Sequence, residues 1–144
     1  MRRRLFFLAA LAALSAPAAA QPRVQLGLRD VWVRQPPPGA PTAAGYLTII
    51  NAGRAEDRLL SVSTPSAQQV QVHEMSMAGG IMRMRAVSGG VVVPAGRSVT
   101  LRPGGAHLML IGFRQPAAPR VALTLRFERA GVLHATAPIR LIGR

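Results

Sequence analysis

The sequence predicts a single all-β domain, either a β-sandwich or a β-barrel, and three observations lead to this fold class. Its 144 residues, 49% of them hydrophobic, are enough to fill one core of ordinary domain size and leave little for a second. Apolar residues recur with a period of two in short runs, which is typical of half-buried strands. Turn-forming residues separate these runs at short intervals, and no stretch of helical length shows a 3.6-residue period.

The first twenty residues differ in composition from the rest of the chain. A basic segment at 2–4 precedes an apolar segment at 5–14 and small residues at 18–20, which is the pattern of a secretory signal peptide. The apolar segment is too short to span a bilayer. We therefore expect residues 1–20 to be removed on export to the periplasm, leaving the mature domain at 21–144. The paired arginines leave general secretion and the twin-arginine route both open, and no cysteine follows to carry a lipid anchor.

Short apolar runs predict the strands of the mature domain in chain order. In the first run Val24, Leu26 and Leu28 alternate with polar or small residues, so that one face of the strand is apolar. Gly, Pro and Asn clusters that lie between most of the runs, such as 36–39 and 103–105, predict tight turns. The predicted strands are 24–28, 31–33, 46–50, 70–77, 81–87, 91–93, 99–101, 107–113, 121–127 and 132–142.

The charge and the absence of cysteine exclude several classes of function. The chain holds 18 basic and 5 acidic residues, a net charge of +13, and every basic residue is Arg. Removing 1–20, which hold three Arg and no acid, leaves +10. With no cysteine, disulfide scaffolds, thiolate zinc sites, iron–sulfur clusters, thiol catalysis and cysteine-ligated blue copper are excluded.

The chain also lacks the residues that most enzymes and nucleic-acid-binding proteins require. It has few acids for acid–base catalysis and none of the familiar nucleophile, phosphate-binding or zinc-protease motifs, so we expect no enzyme. The signal peptide and the low aromatic content, 4%, argue against nucleic-acid binding. An arginine-rich surface instead favours peripheral contact with an anionic membrane or with acidic partner proteins.

Methionine and histidine are concentrated in three predicted strands. Between residues 73 and 109 lie five of the six methionines and two of the three histidines. Because side chains alternate along a strand, residues two apart project from one face, and each strand therefore presents its His and Met residues together. A Gly-Gly turn at 79–80 predicts that the first two of these strands form a hairpin. The residues are His73, Met75 and Met77, then Met82 and Met84, then His107 and Met109.

This donor set indicates a soft metal ion. Thioether sulfur is neutral and polarisable and imidazole is borderline, so without thiolate or carboxylate they favour Cu(I), with Ag(I) as a mimic, over Zn(II), Mg(II) or Ca(II). The other interpretation is that these methionines fill gaps in a sheet core and that the histidines are ordinary hydrogen-bonded residues. Two functions therefore stay open: a copper(I) carrier, or a secreted β-sandwich that binds a protein or another envelope component and has no role with metal.

Three segments resemble the signature of a known family. The sequences HEMSM (73–77), GIMRMR (80–85) and PGGAHLML (103–110) are similar to those of the periplasmic PCuAC copper(I) chaperones, also called the DUF461 family. Ten residues separate His73 from Met84, as in the family pattern, whereas the spacer before His107 is one residue longer. Further similarity at 30–34, 45–46 and 57–59 extends the resemblance over nearly all of the mature chain.

The resemblance implies a fold, a ligand set and a role. The fold would be a cupredoxin-like Greek-key β-sandwich with an exposed site for one copper(I) ion. The protein, expected to be a monomer, would deliver copper to the Cu(A) subunit of cytochrome oxidase or exchange it with another copper protein of the envelope. The ligands would be His73, Met84, His107 and Met109, with Met75 and Met82 as secondary ligands.

Several neighbouring residues are expected to play supporting parts only. Met77, one step further along its strand, is predicted to pack or to lie in a loop, and His134, with no Met two residues on, to be structural or at the surface. The glycines at 104–105 are expected to form the turn that presents His107. The arginines that flank Met84 should lie on the opposite, solvated face of their strand.

Overall fold

Ten β-strands make up the regular structure of the chain. The computed structural model describes residues 24–142, and the predicted signal peptide at 1–20 lies outside them. Within that range there is no helical segment with the length and apolarity that a membrane crossing needs. The strands are β1 (Leu26–Arg34), β2 (Thr42–Asn51), β3 (Asp57–Ser63), β4 (Gln69–Ala78), β5 (Ile81–Ala86), β6 (Val91–Val93), β7 (Ser98–Leu101), β8 (His107–Ile111), β9 (Arg120–Phe127) and β10 (Gly131–Arg140).

The strands form one hydrogen-bonded path that packs around one core. Their order is β5-β4-β8-β2-β1-β10-β9-β3-β6, with β7 beside β2. The parallel pair β1–β10 joins two otherwise antiparallel halves, and the inward residues of both halves belong to one buried cluster. The prediction of a single all-β domain with one core is therefore confirmed. The cluster includes Val33, Ile49, Leu108 and Leu110 from the first half and Leu59, Val93, Val121 and Leu125 from the second.

Two irregular strands explain where the sequence prediction of strands differs from the structure. The runs 24–28 and 31–33 are one strand, β1, in which the pairing with β2 shifts between Arg29 and Trp32 and Asp30 has a φ of +52°. Strand β3 was absent from the prediction. Its pairing with β9 shifts between Leu59 and Ser61, and such a bulge breaks the alternation of apolar residues that reveals a strand. Each of the other predicted runs overlaps an observed strand.

A buried carboxylate connects the start of β3 to the turn between β9 and β10. The side chain of Asp57 is 1% exposed. Its Oδ1 accepts hydrogen bonds from the backbone N–H groups of Arg58 (2.7 Å) and Arg129 (2.9 Å), and its Oδ2 accepts one from the N–H of Ala130 (2.9 Å). Hydrogen bonds to an ionised group are stronger than those between neutral groups. The carboxylate thus accepts hydrogen bonds from three backbone N–H groups that do not pair with a neighbouring strand.

The first prediction concerns the stability contributed by this carboxylate. Asp57→Ala should lower the free energy of unfolding by about 2–4 kcal/mol, because it leaves three partly buried backbone donors without this partner. Urea denaturation measures the loss. The matched control is Glu56→Ala at the adjacent exposed acid, which should change stability by less than about 0.5 kcal/mol. Equal urea midpoints for the two variants would contradict this role for Asp57.

Candidate metal centre

Three neighbouring strands, β5, β4 and β8, bring the predicted metal-binding residues together. Across β4 and β8, His73 lies directly opposite His107, and Gln71 lies opposite Met109. Across β4 and β5, Met75 lies directly opposite Met84. Residues that oppose each other in antiparallel strands project from the same face of the sheet. The two histidines and the methionines therefore share one face, although up to 22 residues separate neighbouring members in the sequence.

This face is the one that turns away from the core. The residues that alternate with the histidines, Val72 and Leu108, oppose each other across the same two strands and belong to or pack against the buried cluster. The His and Met side chains consequently lie on the outer surface of their sheet. They are placed for contact with an ion or a partner from solvent.

His107 is buried in spite of its outward position, and a hydrogen bond fixes its ring. The residue is 6% exposed, and its Nδ1 donates to the carbonyl oxygen of Gly105 at 3.0 Å. Since a carbonyl can only accept, Nδ1 carries the proton and Nε2 of the neutral ring keeps a free lone pair. The carbonyl belongs to a turn closed by the N–H of Gly105 on the carbonyl of Arg102, with Gly104 at a φ of +81°. The predicted role of these glycines is confirmed.

The ring of His73 offers a second free nitrogen lone pair. Its Nε2 donates to Oε1 of Gln71 at 2.9 Å, so that Nδ1 of the neutral ring carries no proton. This Nδ1 is buried and has no hydrogen-bond partner. The two imidazole rings lie 5.9 Å apart between centroids, at 44° to each other. A buried polar atom without a partner is uncommon, and a free nitrogen lone pair on a ring that neighbours a second imidazole fits a metal ion.

The electrostatics of the site lower the pKa of His73 and so favour its neutral form. Burial lowers the pKa of His73, and the positive charge of a protonated His107 lowers it further. Neutral imidazole is the form that coordinates metal, since a proton and a metal ion compete for the same lone pair. The lowered pKa therefore reduces competition from protons at this nitrogen.

The thioethers become more exposed from β8 to β5. Met109 and Met75 are partly buried, whereas Met84 is 56% exposed. Met84 and Met109 are the diagonal neighbours of His73 on its two flanking strands, at a separation that long side chains bridge. The donors that surround His73 are therefore one imidazole and uncharged thioethers.

Acidic side chains contribute little to this surface. In the part of the chain that the structure describes, no group of three or more His, Cys, Asp or Glu side chains is placed to hold a metal ion. Glu74 is exposed and projects from the face opposite to His73. The arrangement suits a soft ion and offers no carboxylate cage to a hard one.

Some of the supporting predictions need correction. The prediction that Met77 packs or lies in a loop is wrong, because it lies within β4 opposite Met82 and is 66% exposed. His134 is an exposed residue of β10 beside Thr124, as expected. Sequence reasoning missed Gln71, which lies two residues before His73 and shares its face. The alternation along the strand was a signal that could have identified it.

Comparison with known families connects this geometry to relatives. Residues 26–139 match the family described as "Putative lipoprotein LpqE-like". The chain belongs to this family. This family is the PCuAC (DUF461) family, whose motifs the sequence carries.

Individual relatives of this PCuAC protein agree with the assignment. A protein of Leifsonia xyli subsp. xyli (strain CTCB07), described as putative lipoprotein Lxx21020, is 29% identical over 134 residues, which cover 89% of this chain and 80% of that protein. The copper-bound PCuAC domain from PmoF2 has a TM-score of 0.69 at 25% identity, covering 83% of this chain and 97% of that domain. The Cu(I) form of DR1885 from Deinococcus radiodurans has a TM-score of 0.57 at 27% identity, covering 85% and 83%. The predicted fold is therefore confirmed.

The second prediction tests the interaction between the two histidines. In His107→Asn the pKa of His73 should rise above its wild-type value, because the charge of His107 is removed. It should stay below the ordinary value for histidine, because burial, the larger cause of the lowering, remains. The asparagine amide can still donate to the Gly105 carbonyl. An NMR titration of the histidine ring protons measures the change, and an unaltered His73 titration curve would show that the rings do not interact.

Proposed function

We propose that this PCuAC protein is a periplasmic carrier that binds one Cu(I) ion as cargo and delivers it to a copper enzyme of the envelope. The observation that carries the proposal is the pair of directly opposed histidines, each with a free nitrogen lone pair, flanked by thioethers on the outer face of the sheet. The copper-bound relatives support the same choice of metal.

Four side chains would hold the ion. His73 would bind through Nδ1 and His107 through Nε2, since their other nitrogens are engaged in hydrogen bonds. Met84 and Met109 would supply sulfur from the two strands that flank β4. Met75 and Met82, on the same face of the hairpin, would serve as alternative donors while copper moves. Ag(I), which prefers the same soft donors, should occupy the same position.

The partial exposure of the site suits release as well as binding. A carrier must give up its ion, and neutral thioethers hold Cu(I) less strongly than thiolates do. Met84, more than half exposed on the last strand of the sheet, is the ligand that an acceptor reaches first. A Cu(A) domain of cytochrome oxidase, which offers two cysteines, would therefore draw copper from this site by direct contact and stepwise exchange of ligands.

The charge of the chain is suited to acidic partners. After removal of the predicted signal peptide a net charge of +10 remains, all of its positive part from arginine. Long-range attraction of this kind raises the rate of encounter with an acidic acceptor or with an anionic membrane surface, and it weakens with salt.

We propose that the protein acts in the periplasm as a monomer.

The third prediction is that the sulfur atoms of Met84 and Met109 are needed to hold and transfer copper. The double variant Met84→Leu, Met109→Leu keeps apolar volume nearly constant and should cost less than about 1.5 kcal/mol of stability at each site. It should lose Cu(I) to a competing chelator that wild type resists, and it should fail to metallate a cysteine-containing Cu(A) domain. A competition titration and NMR of the mixed proteins measure these two effects.

Two controls make this experiment specific to the proposed site. Met77→Leu removes a thioether from the same face of the same hairpin, further from His73, and should leave the tightly bound ion in place. Single substitutions of His73 and His107 should weaken Cu(I) retention at least as much as the methionine changes. Unchanged Cu(I) affinity and transfer in the double methionine variant would mean that Met84 and Met109 serve only in packing. That result would favour the alternative, a secreted binding module without metal.

The fourth prediction concerns metal selectivity. Because the donors are two imidazoles and uncharged thioethers, the protein should bind about one Cu(I) or Ag(I) ion tightly per molecule. It should bind Zn(II) far more weakly. Calorimetric titrations of the metal-free protein with Ag(I) and with Zn(II), in the same buffer and without chloride, compare the two. Zinc binding of similar strength would contradict a site dominated by thioethers.

A further inference from the structure

The β4–β5 hairpin carries a second group of methionines beyond the four proposed ligands. Met77 and Met82 lie directly opposite each other, and Met75 lies next to this pair on the same face. The two residues of the connecting turn, Gly79 and Gly80, have φ values of +58° and +77°. Positive φ at both central residues is the geometry of a tight type I′ turn, which fixes the register of the two strands. The turn therefore sets Met77 against Met82.

These methionines do not contribute to the core. Met77 is 66% exposed and Met82 58% exposed, on the face of the hairpin that turns away from the buried cluster. Methionine is usually retained for filling gaps in an apolar interior, and this explanation does not apply to side chains so exposed. Opposed side chains have Cβ atoms only about 5 Å apart, so long thioether side chains from both strands reach a common point.

We infer that Met77, Met82 and Met75 form a second binding site for a soft monovalent ion, Cu(I) or Ag(I), at the tip of the hairpin. Three uncharged thioethers satisfy the preference of such an ion and offer nothing to Zn(II), Mg(II) or Ca(II). The charged residues of the hairpin, Arg83, Arg85 and Glu74, project from its other face. They supply neither a ligand nor a directly adjacent charge to the site.

The site is weaker than the one proposed above, and two of its residues, Met75 and Met82, enter that proposal only as alternative donors during transfer. It contains no imidazole. Met75 and Met77 follow His73 by two and four residues on β4, which places them about 7 Å and about 14 Å further along the strand. None of its three residues belongs to the set His73, Met84, His107 and Met109. The inference therefore stands on its own geometry, and it can fail or hold whether or not the copper-carrier proposal is correct.

Titration with Ag(I) in chloride-free buffer tests the inference, with the methyl groups of methionine labelled with ¹³C for NMR. In wild type we expect the His73 and His107 rings to respond to the first equivalent of Ag(I). The methyl signals of Met77 and Met82 should shift only with the second equivalent, and the shift should saturate. Signals of Met77 and Met82 that stay in place with excess Ag(I) would overturn the inference.

Substitutions show whether the methionines share one ion. In Met77→Leu the shift of the Met82 methyl should be lost or should require much more Ag(I), because its partner donor is gone. An unchanged Met82 response in this variant would mean that each thioether binds silver independently, and it too would overturn the inference. The matched control is Ile81→Leu, which alters an equally exposed apolar residue, 58%, on the other face of the hairpin and should leave both responses unchanged.

A variant of the histidine site separates the two proposals. In His73→Gln the first, tight response should disappear while the shifts of Met77 and Met82 persist. If wild type shows the hairpin response without the histidine response, the copper-carrier proposal fails and the hairpin site stands. If only the histidine response appears, the hairpin site fails and the copper-carrier proposal stands.

Discussion

The arrangement of the site depends on the register of β4 against β8. His73 faces His107 because these two strands pair in one particular alignment, and the same alignment places Val72 against Leu108 on the other face. A slip of β8 by one residue would move His107 into the core and Leu108 out to solvent. The burial of Val72, Leu108 and Leu110 opposes such a slip. The hydrophobic effect in the core thus positions polar donors on the outer surface, where it does not act on them directly.

Hydrogen bonds determine which nitrogen of each histidine is free to bind a metal ion. Facing imidazoles form a metal site only if the right nitrogen of each is free of protons. The Gly105 carbonyl holds the proton of His107 on Nδ1, and the Gln71 amide oxygen holds that of His73 on Nε2. Partners of this kind fix the tautomer and orientation of ligand histidines in metal sites generally. Here they leave one free nitrogen on each ring, and burial lowers the pKa of His73, which favours its neutral form.

Sequence reasoning predicted the faces of the individual strands better than the contacts between them. Alternation placed His73 with Met75, and His107 with Met109, because the two-residue period of a strand is a local property. The opposition of His73 and His107 is not local, since it results from core packing between strands that are distant in sequence. The burial of His107 on an outward face could not be predicted for the same reason. Strand β3 was missed because its bulge removes the only local signal of a strand.

In the proposed copper carrier, the gradient of exposure across the three strands would allow the site both to hold an ion and to release it. The innermost strand of the site, β8, supplies a buried histidine whose ring is fixed by a hydrogen bond, so that this donor loses little conformational entropy when it binds. The outermost strand, β5, supplies Met84 with most of its surface in solvent, at an edge of the sheet that no further described strand covers. An incoming thiolate would approach from that edge and meet the most exposed of the proposed ligands first. The two imidazoles, which are less exposed than Met84, would still hold the ion while the thioether leaves, so that the ion need not pass through free solution.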